Sequence, residues 1–159
     1  MDCVTIYHSP IGPLWLTTSG EALTGLWMHP AEGTAPDGAD PVLQKTKRWL
    51  DCYFLGKHPS LDQLPLSPAG TDFQRLVWEI LLTIPYGATR TYGDIAREAA
   101  ARLGKEKMSA QAVGGAVGHN PISIIIPCHR VIGAKGALTG YAGGLEKKEW
   151  LLRHEEEHK

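Results

Sequence analysis

The sequence has 159 residues, of which 43% are hydrophobic and 21% are charged, and its formal net charge is −1. This length holds one large domain or two small ones, and the composition excludes disorder over most of the chain. No apolar run is long enough to cross a membrane, and the N-terminus MDCVTIYHSP lacks the basic-then-apolar pattern of a signal peptide. We therefore expect a soluble, cytoplasmic protein with no membrane partner.

The charged residues are unevenly distributed along the chain. Residues 1–70 carry 4 Lys and Arg against 7 Asp and Glu, whereas residues 90–135 carry 7 basic against 3 acidic residues. This polarity permits a local cationic face for nucleic acid despite the nearly neutral total.

The chain contains three cysteines, Cys3, Cys52 and Cys128. Their number is odd and they have no CxxC spacing, so they fit neither a disulfide framework nor a structural zinc motif. We expect reduced thiols, no metal and no cofactor.

The N-terminal part of the chain predicts a small α/β unit. Residues 1–30 alternate apolar stretches with Gly, Pro and Ser, which is typical of an antiparallel meander. Residues 40–56 predict a helix with Asp40 as the N-cap and Pro41 in the first turn. Residues 57–70 contain three prolines and predict a linker between two domains.

The remainder of the chain has mostly helical patterns. Thr71 and Gln74 have the spacing of a capping box, and a helical apolar stripe follows them. The stripe consists of Phe73, Leu76, Val77, Ile80 and Leu81. Residues 91–103 and 109–118 predict two short helices joined by the polar turn GKEKM, a helix-turn-helix. Residues 145–157 predict a final amphipathic helix.

The second helix of the predicted helix-turn-helix, SAQAVGGAVG, is composed of small residues apart from Gln111. A helix that reads the major groove normally presents Arg, Asn or Gln to the base edges. Small residues instead suit either close packing inside the protein or a shallow approach to a narrow groove. Both interpretations remain open from the residues alone.

The segment IIIPCHRVIG, residues 124–133, contains the candidate chemistry. A strand-like isoleucine run ends at Pro127, and Cys128 and His129 follow as neighbours. Cys128 is either one more buried apolar residue or a nucleophile that needs a nearby base to take its proton. His129 is the candidate base, and Glu155 on the last helix is a candidate to orient the imidazole.

The segment IPCHRVIG, with AVGGAVGHNPISI before it and TGYAGGLEKKEWLLRHE after it, resembles the methylated-DNA–protein-cysteine methyltransferases, also called O6-alkylguanine-DNA alkyltransferases. The resemblance implies a ribonuclease-H-like α/β domain over residues 1–67. It also implies a mostly helical, winged-helix-like domain with the helix-turn-helix over residues 68–159. The implied function is a DNA repair protein that flips O6-alkylguanine out of the duplex and transfers the alkyl group irreversibly to itself.

The resemblance also implies a role for each matching residue of the reaction centre. Cys128 matches the alkyl acceptor, and His129 matches the histidine that activates it through a water molecule. Glu155 matches the acid that orients His129, and Asn120 matches the asparagine that braces the site. Tyr92 matches the tyrosine that contacts the flipped base and assists departure of the guanine.

Further matching residues are expected to contact the base and the DNA. The expected walls of the base pocket are Pro127, Tyr141, Ala142 and Gly143. The backbone groups of Val131 and Cys128 are expected to read the guanine edge. The expected DNA-binding residues are Ser109, Ala110, Gln111, Ala112, Gly115 and Arg130, the last through a phosphate. Gln111 stands where many family members have an arginine, which predicts weaker and less salt-sensitive DNA binding.

The implied partner is double-stranded DNA containing O6-alkylguanine, with O4-alkylthymine as a second candidate substrate, and the protein is expected to be a monomer. A non-catalytic lesion-binding protein of the alkyltransferase-like type is the main alternative. In those proteins the acceptor cysteine is replaced, typically by tryptophan, so the presence of Cys128 favours the catalyst. A cysteine hydrolase is a third interpretation, but it leaves the helix-turn-helix and the GYAGG loop unexplained.

Overall fold

The computed structural model describes residues 3–33, 40–138, 140–141 and 143–159. The chain divides into two compact units. The first comprises the chain up to Ala69 together with Pro121–Ser123 and His158, and the second comprises Gly70–Asn120, Ile124–Glu157 and Lys159. Among the residues described, no helix combines the length and apolar character needed to span a membrane.

The first unit contains an antiparallel sheet with one helix packed on it. Strands β1 (Cys3–Ser9), β2 (Gly12–Thr18) and β3 (Leu23–Trp27) lie in the order β1-β2-β3, which confirms the predicted meander. Helix α1 (Pro41–Phe54) begins at Asp40, whose carboxylate accepts the backbone N–H groups of Val42 and Leu43 at 2.9 and 3.1 Å. The apolar side chains of β2, β3 and α1 form the core of this unit.

The predicted linker is partly built into the first unit. The backbone of Leu23 in β3 donates to the Pro65 carbonyl at 2.8 Å and accepts from the N–H of Ser67 at 2.8 Å. Leu64 is buried beside this contact. The prolines do prevent a helix here, but they leave carbonyl groups that β3 can use, and the prediction of a simple linker was wrong for residues 64–67.

The second unit is mostly helical. Its helices are α2 (Asp72–Leu81), α3 (Tyr92–Arg102), α4 (Ala110–Gly118) and α5 (Leu145–Glu157). A two-residue strand β4 (Arg90–Thr91) pairs in parallel with β5 (Val131–Ile132) immediately after the Cys128 segment. The capping box of Thr71 and Gln74 forms as predicted, and Ser109 caps α4.

Helices α2, α3 and α4 pack against one another, and α3 and α4 are the predicted pair of short helices joined by a polar turn. Trp78, which lies outside the predicted stripe, is 1% exposed and its indole Nε1 donates to the carbonyl of Ala116 on α4 at 2.9 Å. A buried indole N–H requires a hydrogen-bond partner, and this bond therefore links α2 to α4.

Candidate active site

The isoleucine run before Cys128 is buried but is not a strand, so the strand-like expectation was wrong. Ile124 has a left-handed backbone with φ of 70°, which is unusual for a β-branched residue. Pro127 has φ −80° and ψ 65°, and the N–H of Cys128 donates to the carbonyl of Ile126 at 2.7 Å. These values describe an inverse γ-turn, which ends the run and turns the chain at the thiol.

Cys128 begins a one-turn 3-10 helix, Cys128–Arg130, and this conformation decides where its neighbours lie. Successive side chains of an extended strand would point to opposite faces. In the 3-10 turn, by contrast, His129 and Arg130 both reach the carboxylate of Glu155. The turn is therefore the local reason that consecutive residues can act together.

Cys128 is 6% exposed, and its surroundings act on its pKa in opposite directions. Burial raises the pKa of the thiol, while a hydrogen bond from Asn120 and the positive charge of Lys148 lower it, with burial the larger effect. Asn120 also donates from Nδ2 to the Ile126 carbonyl at 2.8 Å. The resting thiol therefore holds its proton, and a base is needed to remove it.

His129 and Glu155 form a fully buried pair. His129 Nε2 donates to Glu155 Oε2 at 2.6 Å, and the exposed fractions of the two side chains are 0% and 1%. Burial lowers the pKa of His129, although the hydrogen bond to Glu155 raises it in part. His129 Nδ1 has no hydrogen-bond partner among the described residues, so it is the nitrogen that can accept a proton.

Arg130 completes the surroundings of the Glu155 carboxylate. Its Nε donates to Oε1 at 2.8 Å and its NH2 to Oε2 at 3.1 Å, while NH1 donates to the Ile84 carbonyl at 2.7 Å. The backbone N–H of Gly87 donates to Oε1 at 3.1 Å. Burial opposes ionisation of Glu155, but the hydrogen bonds from His129 and Arg130 and the charge of Arg130 outweigh it and hold the pKa of the carboxyl well below its usual range.

The observed contacts of Arg130 lie within the second unit, and the expected phosphate contact stays a prediction. Its side chain is only 11% exposed, and its three nitrogens are committed to Glu155 and Ile84. The guanidinium also lies over the ring of Tyr86, 5.7 Å from the centroid. The sequence did not indicate these buried contacts, because an arginine that follows Cys128 and His129 is equally compatible with a contact to DNA.

Lys148 is a site residue that sequence reasoning missed. It is 0% exposed on α5, and its Nζ donates to the Val131 carbonyl at 2.6 Å. Burial lowers the pKa of Lys148, while the nearby Cys128 raises it. Lys148 stands seven positions before Glu155, and residues that far apart share one helical face, so the spacing could have indicated a buried role.

The other expected base-contacting residues differ in how far the structure connects them to this centre. The ring centroid of Tyr92 lies 6.0 Å from Lys148 Nζ, and Tyr92 also faces Gly114 of α4. Val131 is buried in β5, with its carbonyl bonded to Lys148. Pro127 is buried, Tyr141 and Gly143 are half-buried, and Ala142 lies outside the described residues.

Helix α4 packs one face within the second unit and exposes the other face to solvent. Val113, Ala116 and Val117 are buried. The exposed residues are Ser109, Ala110, Gln111, Ala112 and Gly115. The Ser109 hydroxyl accepts the N–H groups of Gln111 and Ala112 at 3.1 and 3.2 Å, so it serves the helix as its N-cap. Close packing therefore applies to the buried face, and the approach to a groove stays a prediction for the exposed face.

Within the described ranges, no group of three or more His, Cys, Asp or Glu side chains is arranged to hold a metal ion.

Two family models match the chain. Residues 3–68 match the ribonuclease-like domain of the 6-O-methylguanine DNA methyltransferases, and residues 72–157 match the DNA-binding domain of the same family. The chain is similar to the methylated-DNA–protein-cysteine methyltransferase of Methanosarcina acetivorans, with 46% identity covering 94% of this chain and 96% of that protein. It is 43% identical to the Haemophilus influenzae protein of the same name, covering 95% of this chain and 84% of that protein.

Solved structures give the same result. The O6-methylguanine methyltransferase of Mycobacterium tuberculosis superposes with a TM-score of 0.83 and 44% identity, covering 100% of this chain and 95% of that chain. A crystal structure of the M. tuberculosis protein in complex with DNA gives a TM-score of 0.82 at 46% identity, covering 96% and 92%. With its ribonuclease-like domain and its helical DNA-binding domain, the chain belongs to the 6-O-methylguanine DNA methyltransferase family.

Proposed function

We propose that this protein repairs alkylated DNA by transferring the alkyl group of O6-alkylguanine irreversibly to Cys128. The observation that carries the proposal is the buried 2.6 Å pair of His129 and Glu155 immediately beside a buried thiol. The names of the relatives and the DNA complex of the M. tuberculosis protein support it. Residues 68–159 act as the alkyltransferase and DNA-binding domain, and residues 1–67 form the ribonuclease-H-like domain.

The first chemical step is removal of the thiol proton. Nε2 of His129 donates to Glu155, so Nδ1 receives the proton, through a water molecule as the family resemblance implies. Glu155 stabilises the imidazolium that results. The charge of Lys148 and the hydrogen bond from Asn120 stabilise the thiolate.

The transfer itself is a displacement at the alkyl carbon. A bond forms between the Cys128 sulfur and the carbon, the bond from that carbon to guanine O6 breaks, and its electron pair stays on the guanine. Tyr92 assists this departure as a hydrogen-bond donor, after which the guanine acquires a proton and leaves unalkylated. The inverse γ-turn and the burial of Cys128 hold the sulfur in a dry, fixed position, which favours in-line attack.

The target base must leave the duplex to reach a buried thiol, and this costs a few kcal/mol. The exposed face of α4 is small enough for close approach to a groove, with Gln111 as its one long polar side chain. Arg97, Lys105 and Lys107 are exposed on α3 and the following turn, where they can contact phosphates. The protein acts as a monomer on double-stranded DNA.

The thioether formed at Cys128 resists hydrolysis, so each molecule acts once. A duplex with a single O6-methylguanine, mixed with equimolar protein, loses the lesion in one kinetic phase and gains guanine. Cys128→Ala abolishes the loss, whereas Cys52→Ala, which changes a half-buried thiol on α1, retains it. Tight binding of the lesion by the wild type without any loss of it would instead identify a lesion-binding protein.

A further inference from the structure

Arg130 binds the same carboxylate as the proposed base, His129, and is the next residue in the chain. His129 binds Oε2 of Glu155, while Arg130 binds Oε1 through Nε and Oε2 through NH2. The third guanidinium nitrogen is fixed by the Ile84 carbonyl. The planar guanidinium is hydrogen-bonded to Glu155 on one side and to Ile84 on the other, which fixes its orientation. Its bonds to both carboxylate oxygens in turn fix the orientation of the carboxylate.

The charge of Arg130 affects whether His129, paired with Glu155, binds a proton. A buried carboxylate with no counter-charge would draw a proton onto His129, and an imidazolium cannot accept the proton of Cys128. With Arg130 in place the carboxylate already has a positive partner at 2.8 Å, and this positive charge opposes protonation of the imidazole. Burial is the largest cause that lowers the pKa of His129, and the positive charge of Arg130 adds to it against the opposing effect of Glu155.

We propose that Arg130 is a positioning residue that balances the charge of Glu155 and thereby keeps His129 neutral and ready to take the Cys128 proton. This role rests on the proposed alkyl transfer to Cys128. It replaces the phosphate contact expected for Arg130 and predicts that the residue acts on the pH dependence of the reaction and leaves DNA affinity unchanged.

Several charged or titratable groups surround His129, and each test variant below leaves all of them unchanged except the residue that it replaces. They are Glu155 and Lys148 from α5, Cys128 and Arg130 from its own turn, and Tyr86 from the segment after α2. Arg130 offsets the charge of Glu155 through direct hydrogen bonds from Nε and NH2.

The test measures the rate at which Cys128 reacts with iodoacetamide from about pH 5 to about pH 9, by intact-protein mass, in the full chain carrying Cys3→Ser and Cys52→Ser. Arg130→Met moves the acid limb of this profile to higher pH by about one unit or more, because His129 then protonates more readily. Arg130→Lys keeps the charge without the fork, so its acid limb stays at the wild-type position while the plateau rate falls. Arg153→Met removes an exposed arginine paired with Glu149 on α5 and leaves the profile unchanged.

An acid limb unmoved in Arg130→Met, or moved equally in Arg130→Lys, overturns the proposal. So does a weaker affinity and shallower salt dependence for duplex DNA in Arg130→Met, because that result restores the phosphate contact. If Arg130→Met does not fold, Glu155→Gln and the double variant Arg130→Met/Glu155→Gln replace it. Glu155→Gln moves the acid limb of the rate profile to lower pH, and the double variant moves it back toward the wild-type position. An acid limb at the same pH in both variants overturns the proposal.

Iodoacetamide needs no DNA, so the result is separate from the proposed repair function. A wild type that reacts with iodoacetamide but never removes O6-methylguanine from a duplex refutes the repair function alone. In that case the Arg130 profiles still decide whether the charge of Glu155 is balanced as inferred.

Discussion

Replacing Glu155 by glutamine removes the one negative charge that joins His129 and Arg130. The carboxylate accepts hydrogen bonds from Arg130 through Nε and NH2, from His129 and from the backbone of Gly87. A glutamine amide can accept at its oxygen only, and its NH2 group would face donors of Arg130 or His129. Removing one partner of a buried ion pair costs about 3–5 kcal/mol, because it leaves the other charge uncompensated.

The matched control for this change is the neighbouring residue. Glu156 pairs with Lys159 at 2.7 Å, but its side chain is 67% exposed, so Glu156→Gln should cost roughly 1 kcal/mol or less. Urea unfolding of the full chain, followed by circular dichroism, measures both variants. We expect Glu155→Gln to lower the free energy of unfolding by about 3–5 kcal/mol. A loss equal to that of Glu156→Gln would refute the inference that the Glu155 cluster is a buried, mutually dependent ion pair.

Three further predictions concern the thiol, the DNA contact and acid stability. Lys148→Met keeps the buried stem but removes the charge near Cys128, so we expect the thiol to ionise at higher pH and methyl transfer at neutral pH to fall about tenfold or more; an unchanged rate-versus-pH profile contradicts this. Gln111→Arg adds a cation to the exposed face of α4, and titration of duplex DNA at several salt concentrations should show tighter binding and a slope of log affinity steeper by about 0.9; equal slopes count against a DNA contact at this position. The pKa of buried His129 is lowered in the folded chain, so the unfolded chain binds a proton first and stability falls as pH drops below about 6.5. Urea midpoints at neutral and acidic pH should show this fall in the wild type and a smaller one in His129→Asn, and parallel falls would exclude His129 as the cause.

The parts of the fold that the sequence predicts depend on local chemistry. Asp40, Thr71 and Ser109 begin their helices because a short polar side chain can accept the free N–H groups of a first turn wherever the helix lies. The meander follows from apolar runs broken by glycine and proline. The pairing of His129 with Glu155 came from the family resemblance, because 26 residues separate them and no local pattern connects them.

The features that the sequence does not predict depend on tertiary packing. An isoleucine run favours a strand, but the buried run contains a left-handed Ile124 and ends in an inverse γ-turn at Pro127. Lys148 and Arg130 carry charges that normally lie at the surface. Each is buried because a carbonyl or carboxylate from a distant part of the second unit meets its donors, and such a partner is invisible in the neighbouring sequence.

The most direct test of the central claim is the intact mass of the protein after incubation with a duplex containing one O6-methylguanine. We predict that the wild type gains the mass of one methylene group, that the gain saturates at one equivalent of lesion, and that peptide mapping assigns it to Cys128. The Cys128→Ala variant should gain nothing. An unchanged wild-type mass under conditions where the lesion is bound, or a gain on Cys3 or Cys52, would contradict transfer to Cys128.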